Sequence, residues 1–287
     1  MKTSAFLFAV CLASSLFAQR TLVDEGRAAL QRNDADTAAN LLEKAVAQSP
    51  NSAEAHYFLG TAYGTQAQRA SIFSKAGLAK KTQAEFERAV QLDPNYINAR
   101  FALVEYDMLA PGFIGGGEQK AIEQANEIRK RDALAGHRAW AFIYARQKKP
   151  DLAHKELVDA VKEQPNSPKA HYWLGISYFT PDKNYKAANE EFETAIKLDP
   201  TFMPSWFQLG HVAALSGANL QRGEEVLQKY LAYIPKQDEP PLYRAHYWLG
   251  AIYEKQGKKS DARASYSTSL RLYPGQKDVA EALKRVS

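Results

Sequence analysis

The hexapeptide "AHYWLG" stands twice in this 287-residue chain, at Ala170–Gly175 and Ala245–Gly250, with a near copy, "AHYFLG", at Ala55–Gly60. A catalytic motif is needed once per active site. A motif spelled three times is a packing instruction, because stacked units each need the same contacts. Recurrence of this kind restricts the chain to a quasi-one-dimensional array, in which each unit touches mainly its neighbours.

The period is read from prolines. Pro50, Pro94, Pro165, Pro200, Pro235 and Pro274 each close an amphipathic segment of similar ending, "AVAQSP", "AVQLDP", "AVKEQP", "AIKLDP", "YLAYIP" and "SLRLYP", and "KRDA" at Lys130–Ala133 fills the missing slot. Proline lacks the N–H that would continue a helix and restricts the residue before it. Successive markers lie 44, 39, 32, 35, 35 and 39 residues apart. Two helix-length segments fit each interval. The first carries an apolar–small pair such as Leu59-Gly60, Leu174-Gly175, Leu209-Gly210 or Leu249-Gly250; the second carries a small residue with partners four and seven later, as in Ala188, Phe192 and Ala195. That spacing is one face of a helix. Small residues on facing stripes let two antiparallel helices approach, which explains glycine where it costs about 1 kcal/mol of helix propensity.

These residues resemble the tetratricopeptide-repeat consensus in seven units from Thr21 to Pro274, the last unit fitting best. The resemblance implies an all-α, right-handed superhelical solenoid of about seven helix–turn–helix units. The units fall near 19–52, 53–96, 97–133, 134–167, 168–202, 203–237 and 243–274, with a capping helix at 275–287 carrying Val279, Ala282 and Val286 on one side. Three units depart from the pattern. The first has Glu25-Gly26 for the apolar–small pair, the third has Val104 and Ile128 at small positions, and the sixth has Tyr230 with Gly223 nearby. Bulk in the third and sixth predicts local irregularity.

Residues 1–18 read as a secretory signal peptide: Lys2, an apolar run from Ala5 to Phe17, and cleavage after Ala18. The run is too short to span a bilayer. Cys11, the one cysteine, follows "FAV" rather than a lipobox, so the mature chain is predicted to have no thiol, disulfide or cysteine–metal site, and no integral membrane segment. Export without disulfides suits a periplasmic or secreted bacterial protein. Loss of Lys2 lowers the formal net charge from +5 to +4, and the charges are interspersed, with no basic block of the kind that marks a nucleic-acid arm.

Four of the six histidines, His56, His137, His171 and His246, share one slot, about a unit apart; this reads as packing, not metal binding. Two insertions fall at one edge, around "GTQAQRASIFSKAGLAKK" in the second unit and "LAPGFIGGGEQK" in the third. The first is predicted to lengthen its helices, and Ile72, Phe73 and Leu78 are expected to pack against Phe113 and Ile114; an exposed contact for a membrane or partner is the competing reading. The glycine run lacks the spacing and the Lys-Ser/Thr ending of a nucleotide loop and reads as a turn.

In the family it resembles, the residue after the histidine slot and the residue one turn later face the concave groove. Here those positions, with neighbouring cations, give a candidate partner-binding set: Tyr57, Phe101, Arg138, Phe142, Lys169, Tyr172, Ile176, Phe207, His211, Arg244 and Tyr247. An aromatic-lined groove suits a peptide or protein partner, since buried aromatic anchors usually carry binding energy. A glycan or other small ligand stacked on the rings is the alternative. The sequence shows no serine-centred elbow, metal-ligand spacing or phosphate loop. The expectation is therefore a non-catalytic scaffold without cofactor or nucleic-acid partner, its oligomeric state open.

Overall fold

A computed structural model describes residues 21–179, 184–236 and 239–287; the expected signal peptide and its cleavage point lie outside them. Helix α1 covers residues 21–31. It is followed by α2 (Ala35–Gln48), α3 (Ala53–Arg69), α4 (Ile72–Leu92), α5 (Ile97–Leu109), a 3-10 turn (Gly112–Ile114), α6 (Glu118–Arg131) and α7 (Ala133–Arg146). Then come α8 (Pro150–Glu163), α9 (Pro168–Phe179), α10 (Tyr185–Leu198), α11 (Met203–Ser216), α12 (Leu220–Leu231), α13 (Leu242–Lys255), α14 (Lys259–Leu272) and α15 (Lys277–Arg285). No strand occurs among the described residues. The chain divides into two compact bodies, one up to Ala139 and one from Trp140, the boundary falling inside α7.

The helix ends follow from local chemistry. Asp34, Ser52 and Asn184 cap α2, α3 and α10 by accepting from the backbone N–H of Thr37, Ala55 and Ala187. Such a cap is worth about 1 kcal/mol. At the other ends, Ser49, Asp93, Gln164 and Asp199 donate their N–H to Ala45, Ala89, Ala160 and Ala195, and the marker proline stands next in the chain.

Within a helix pair the approach is set by glycine. A Cβ on Gly26 would lie 2.6 Å from Leu42, on Gly60 2.7 Å from Phe86, on Gly175 2.6 Å from Phe192, and on Gly250 2.6 Å from Tyr266; Gly210 faces Leu227 in the same way. All five bulky partners are buried. The first unit, irregular in its Glu25-Gly26 pair, therefore closes like the others. In the sixth, Tyr230 is fully buried beside Phe207, ring centroids 5.4 Å apart, and its hydroxyl donates to the Pro240 carbonyl at 2.6 Å. In the third, Val104 and Ile128 are likewise fully buried. Helix α15 and the Val286 that follows it bury Val279, Ala282 and Val286 against Ala262 and Tyr266, closing the end of the second body.

The shared slot does more than fill space. His56 and His171 direct Nε2 at the carbonyls of Pro50 and Pro165, at 3.0 and 2.9 Å, and Nδ1 at Glu85 and Glu191 on the second helix, at 2.5 and 2.6 Å. The four partners are carbonyl and carboxylate oxygens, so each ring bridges its own turn and the second helix. Arg100 repeats the arrangement with other chemistry, its guanidinium donating to the Pro94 carbonyl and to Gln124, both at 2.7 Å. Trp206 donates its indole N–H to the Pro200 carbonyl at 3.1 Å. Each side chain ties down the turn six residues before it.

The insertions correct one expectation. Helices α3 and α4 are lengthened, to 17 and 21 residues against 12 to 14 for α5 to α14, as the sequence predicts. The apolar residues they carry do not pack on the next turn: Ile72, Phe73 and Phe113 are 82%, 93% and 82% exposed. The 3-10 turn meets α4 at Gln83, whose amide donates to the Gly115 carbonyl. That point is eleven residues from Ile72, or about 16 Å along a helix. Leu78 packs instead against the core of the first two pairs, and the Ile114 carbonyl accepts from Tyr106. The glycine run is conformational, with Gly115 at φ +105° and Gly116 too close to the Ala110 carbonyl to carry a Cβ.

If the glycine approach sets the helix spacing, Gly175→Val lowers stability by about 2 kcal/mol through overpacking. Combining it with Phe192→Leu recovers part of that loss. Urea unfolding followed by far-UV circular dichroism measures both, and additive losses in the double variant would remove this contact from the account.

Candidate binding face

The first helices of the second body lie side by side, α9 against α11 and α11 against α13. Their side chains join in a chain of rings. Tyr185 stands 6.0 Å from Phe179, and Phe179 meets His211 edge-on at 4.8 Å. His211 stacks on Trp248 at 4.1 Å with 29° between the planes. Trp248 touches Tyr247 at 4.5 Å, and Tyr247 lies 6.0 Å from Tyr266. Phe179, His211, Tyr247 and Trp248 are all half-buried, so each keeps an open edge.

His211 is the polar centre of this face. Burial, and then the positive charge of Arg244, press its pKa down to about 4. The ring is therefore neutral near pH 7. Nδ1 donates to the Gln208 side-chain oxygen at 3.2 Å, which leaves Nε2 as an acceptor. The indole N–H of Trp248 is shielded from solvent and has no hydrogen-bond partner among the described residues. A neutral acceptor and an unsatisfied donor thus sit within one ring stack.

The other candidates divide by what already covers them. Phe207 is 1% exposed, enclosed by Tyr230 and His211, and offers no surface; its assignment to an open groove is corrected. Phe101 is buried too, with the Arg138 guanidinium 3.8 Å above its ring, so it is likewise removed from the open set and Arg138 acts as its lid. Tyr57 and Tyr172 are half-buried and make the same joint in separate bodies. Tyr57 contacts Phe86 and Tyr96 at 5.9 and 5.1 Å, and Tyr172 contacts Phe192 and Phe202 at 6.0 and 5.5 Å. Tyr247 does likewise with Tyr266. Phe142 and Ile176 are half-buried in the second body, while Lys169 and Arg244 stand exposed in the first turns of α9 and α13. Phe179 and Trp248 were missed from the sequence. The tryptophan stands in the repeated hexapeptide itself, and Phe179 is seven residues after Tyr172, on the same helix stripe.

Family models described as tetratricopeptide repeat match residues 23–67, 138–201 and 243–276. The chain is a tetratricopeptide-repeat protein. Among curated proteins, the human antiviral innate immune response effector IFIT1 is 29% identical over 199 residues, covering 62% of this chain and 40% of the human protein. This tetratricopeptide-repeat chain thus spans about two fifths of that relative's length. A solved human IFIT1 dimer with m7Gppp-AAAA superposes with a TM-score of 0.60 at 21% identity, over 93% of this chain and 63% of that one. A tetratricopeptide repeat protein from Parabacteroides merdae ATCC 43184 gives 0.50 at 14% identity, over 94% and 98%. At these identities the solved structures share the fold alone.

The depressed pKa of His211 has a thermodynamic consequence. Between pH 6.5 and 4 the unfolded chain takes up a proton at His211 that the native chain refuses, so this contribution is present above pH 6.5 and is lost as pH falls towards 4. Between pH 7 and 4 the native protein is expected to lose about 3 kcal/mol more stability than a His211→Gln variant. Urea unfolding at the two pH values reads the difference, and parallel losses would contradict a buried neutral ring.

Proposed function

We propose that this protein is a non-catalytic scaffold of the bacterial cell envelope that docks a peptide or protein partner on the α9–α11–α13 face. Tetratricopeptide-repeat proteins generally mediate protein–protein interactions. The observation that carries the reading is the half-buried stack of Phe179, His211 and Trp248, with exposed Arg244 near enough to act on His211. Rigid, partly desolvated aromatic edges are what an apolar anchor residue of a partner fills, and the Arg244 cation favours an acidic residue beside that anchor. His211 and Trp248 cover one another's faces, which weakens the platform a sugar ring would need and favours a peptide over a glycan. Three carboxylates of the second helices are engaged structurally: Glu191 with His171, Glu224 with Lys258 at 2.8 Å, and Glu225 with Arg222 at 2.8 Å.

Panning the protein against a random peptide library tests the reading. Peptides with an apolar anchor next to acidic residues are expected to enrich, and Trp248→Ala is expected to weaken them at least about tenfold. Enrichment indifferent to Trp248→Ala would move the site elsewhere, and a glycan bound in their place would replace the partner class. The envelope location rests on the signal-like residues 1–18. Expressed with them in a bacterial host, the chain is expected to appear in the periplasm or medium with Gln19 at its N-terminus, and an intact Met1 end in the cytoplasm would contradict export.

A further inference from the structure

The α3–α4 hairpin carries a feature that the binding face does not use. From Ile72 to Phe86, the ring that faces Gly60, is fourteen residues, whereas from Tyr185 to Phe192, the corresponding ring facing Gly175, is seven. Phe86 and Phe192 are fixed in the cores of their pairs, so the extra length lies on the side of the α3–α4 turn. Seven residues extend a helix by about 10 Å. At the end of that extension stand Ile72 and Phe73, 82% and 93% exposed in the first turn of α4. Leaving a Phe and an Ile in water forfeits the free energy that burial of both side chains would return.

Charge tells which surface would cover them. Residues 66–83 contain Arg69, Lys75, Lys80 and Lys81 and no Asp or Glu. Arg69 is held at the base, donating to the Asn33 carbonyl at 2.9 Å, and the Lys81 ammonium lies 5.0 Å over the Tyr63 ring. Lys75 and Lys80 are exposed on α4 behind the apolar pair. Acidic Asp34 and Asp36 belong to the α1–α2 turn and its first residues, where Asp36 accepts from Gln66 near the base of the hairpin. On the next turn Phe113 and Leu109 are also exposed, at 82% and 58%, with Glu118 and Lys120 beyond them.

An apolar point of two residues backed only by cations is too small for a stable protein interface, which needs about 800 Å² from each partner. It matches the interfacial zone of an anionic bilayer, where Phe and Ile enter the acyl boundary while lysines remain among phosphate headgroups. We propose that the α3–α4 tip is a reversible membrane-contact element, inserting Ile72 and Phe73 into an anionic lipid surface with Lys75 and Lys80 against the headgroups. Each signal alone is weak; together they bind reversibly. The inference is independent of the partner face, which lies in the other body.

The test is sedimentation of the chain from Gln19 onward, which contains every described helix, with vesicles of phosphatidylcholine alone or mixed with phosphatidylglycerol. Binding to the mixed vesicles is expected, weakening as salt rises. Ile72→Ser with Phe73→Ser, and separately Lys75→Glu with Lys80→Glu, are each expected to lower partitioning at least about tenfold. All four side chains are exposed, so helical content and melting temperature should match the parent. No binding to the mixed vesicles overturns the proposal, as does equal binding by either double variant. Absence of lipid binding together with a photocrosslink from position 73 to a protein would assign the tip to a protein contact instead.

Discussion

A missing Cβ at five positions governs how these helix pairs close. Where Gly26, Gly60, Gly175, Gly210 and Gly250 face Leu42, Phe86, Phe192, Leu227 and Tyr266, the first helix comes near enough for a bulky side chain to lie against bare backbone. The partner can be branched, aromatic or phenolic, because the demand falls on the glycine side alone. Tyr266 shows the latitude. Its ring meets Gly250 while its hydroxyl, 2.7 Å from Glu254, joins a network in which Arg285 of α15 grips the same carboxylate. Closure of the last pair and attachment of the final helix are thereby one structure.

A second constraint acts at the turns. The chain leaving a second helix passes through a proline whose carbonyl accepts a side-chain hydrogen bond across the turn. Histidine, arginine and tryptophan each supply the N–H, always from six residues downstream: Pro50 to His56, Pro94 to Arg100, Pro165 to His171, Pro200 to Trp206. The seventh pair keeps the spacing from Pro240 to His246, but there Tyr230 donates to the Pro240 carbonyl. Conservation of the hydrogen bond across unlike side chains shows that the turn, not the imidazole, is what the slot serves.

These contacts explain what could be read in advance. Pairing, glycine approach and the apolar side of α15 are periodic along the chain, and a periodic pattern declares its face without a partner being seen. The constant six-residue spacing was equally open to inspection and its hydrogen bond was not foreseen. Phe207 and Phe101 were misplaced for another reason. Their positions follow the repeat, but their covers, Tyr230 and Arg138, are local departures that no consensus encodes. The packing expected of Ile72 and Phe73 failed because it depended on how far along α4 the neighbouring turn reaches, a distance that sequence separation does not give.

The same distinction bears on where function can reside. Most aromatic residues of the first helices are committed to joints: Tyr57 between Phe86 and Tyr96, Tyr172 between Phe192 and Phe202, Tyr247 against Tyr266. A ring held at a joint stiffens the stack, and loosening it for a ligand would loosen two repeats at once. Phe179, His211 and Trp248 differ because their mutual contacts run across three neighbouring first helices, although Phe179 and Trp248 also rest on the core. None of the three faces a helix-pair glycine or holds a turn carbonyl. The proposed partner face accordingly rests on these three rings, which stand outside the joints, and not on Tyr57, Tyr172 or Tyr247.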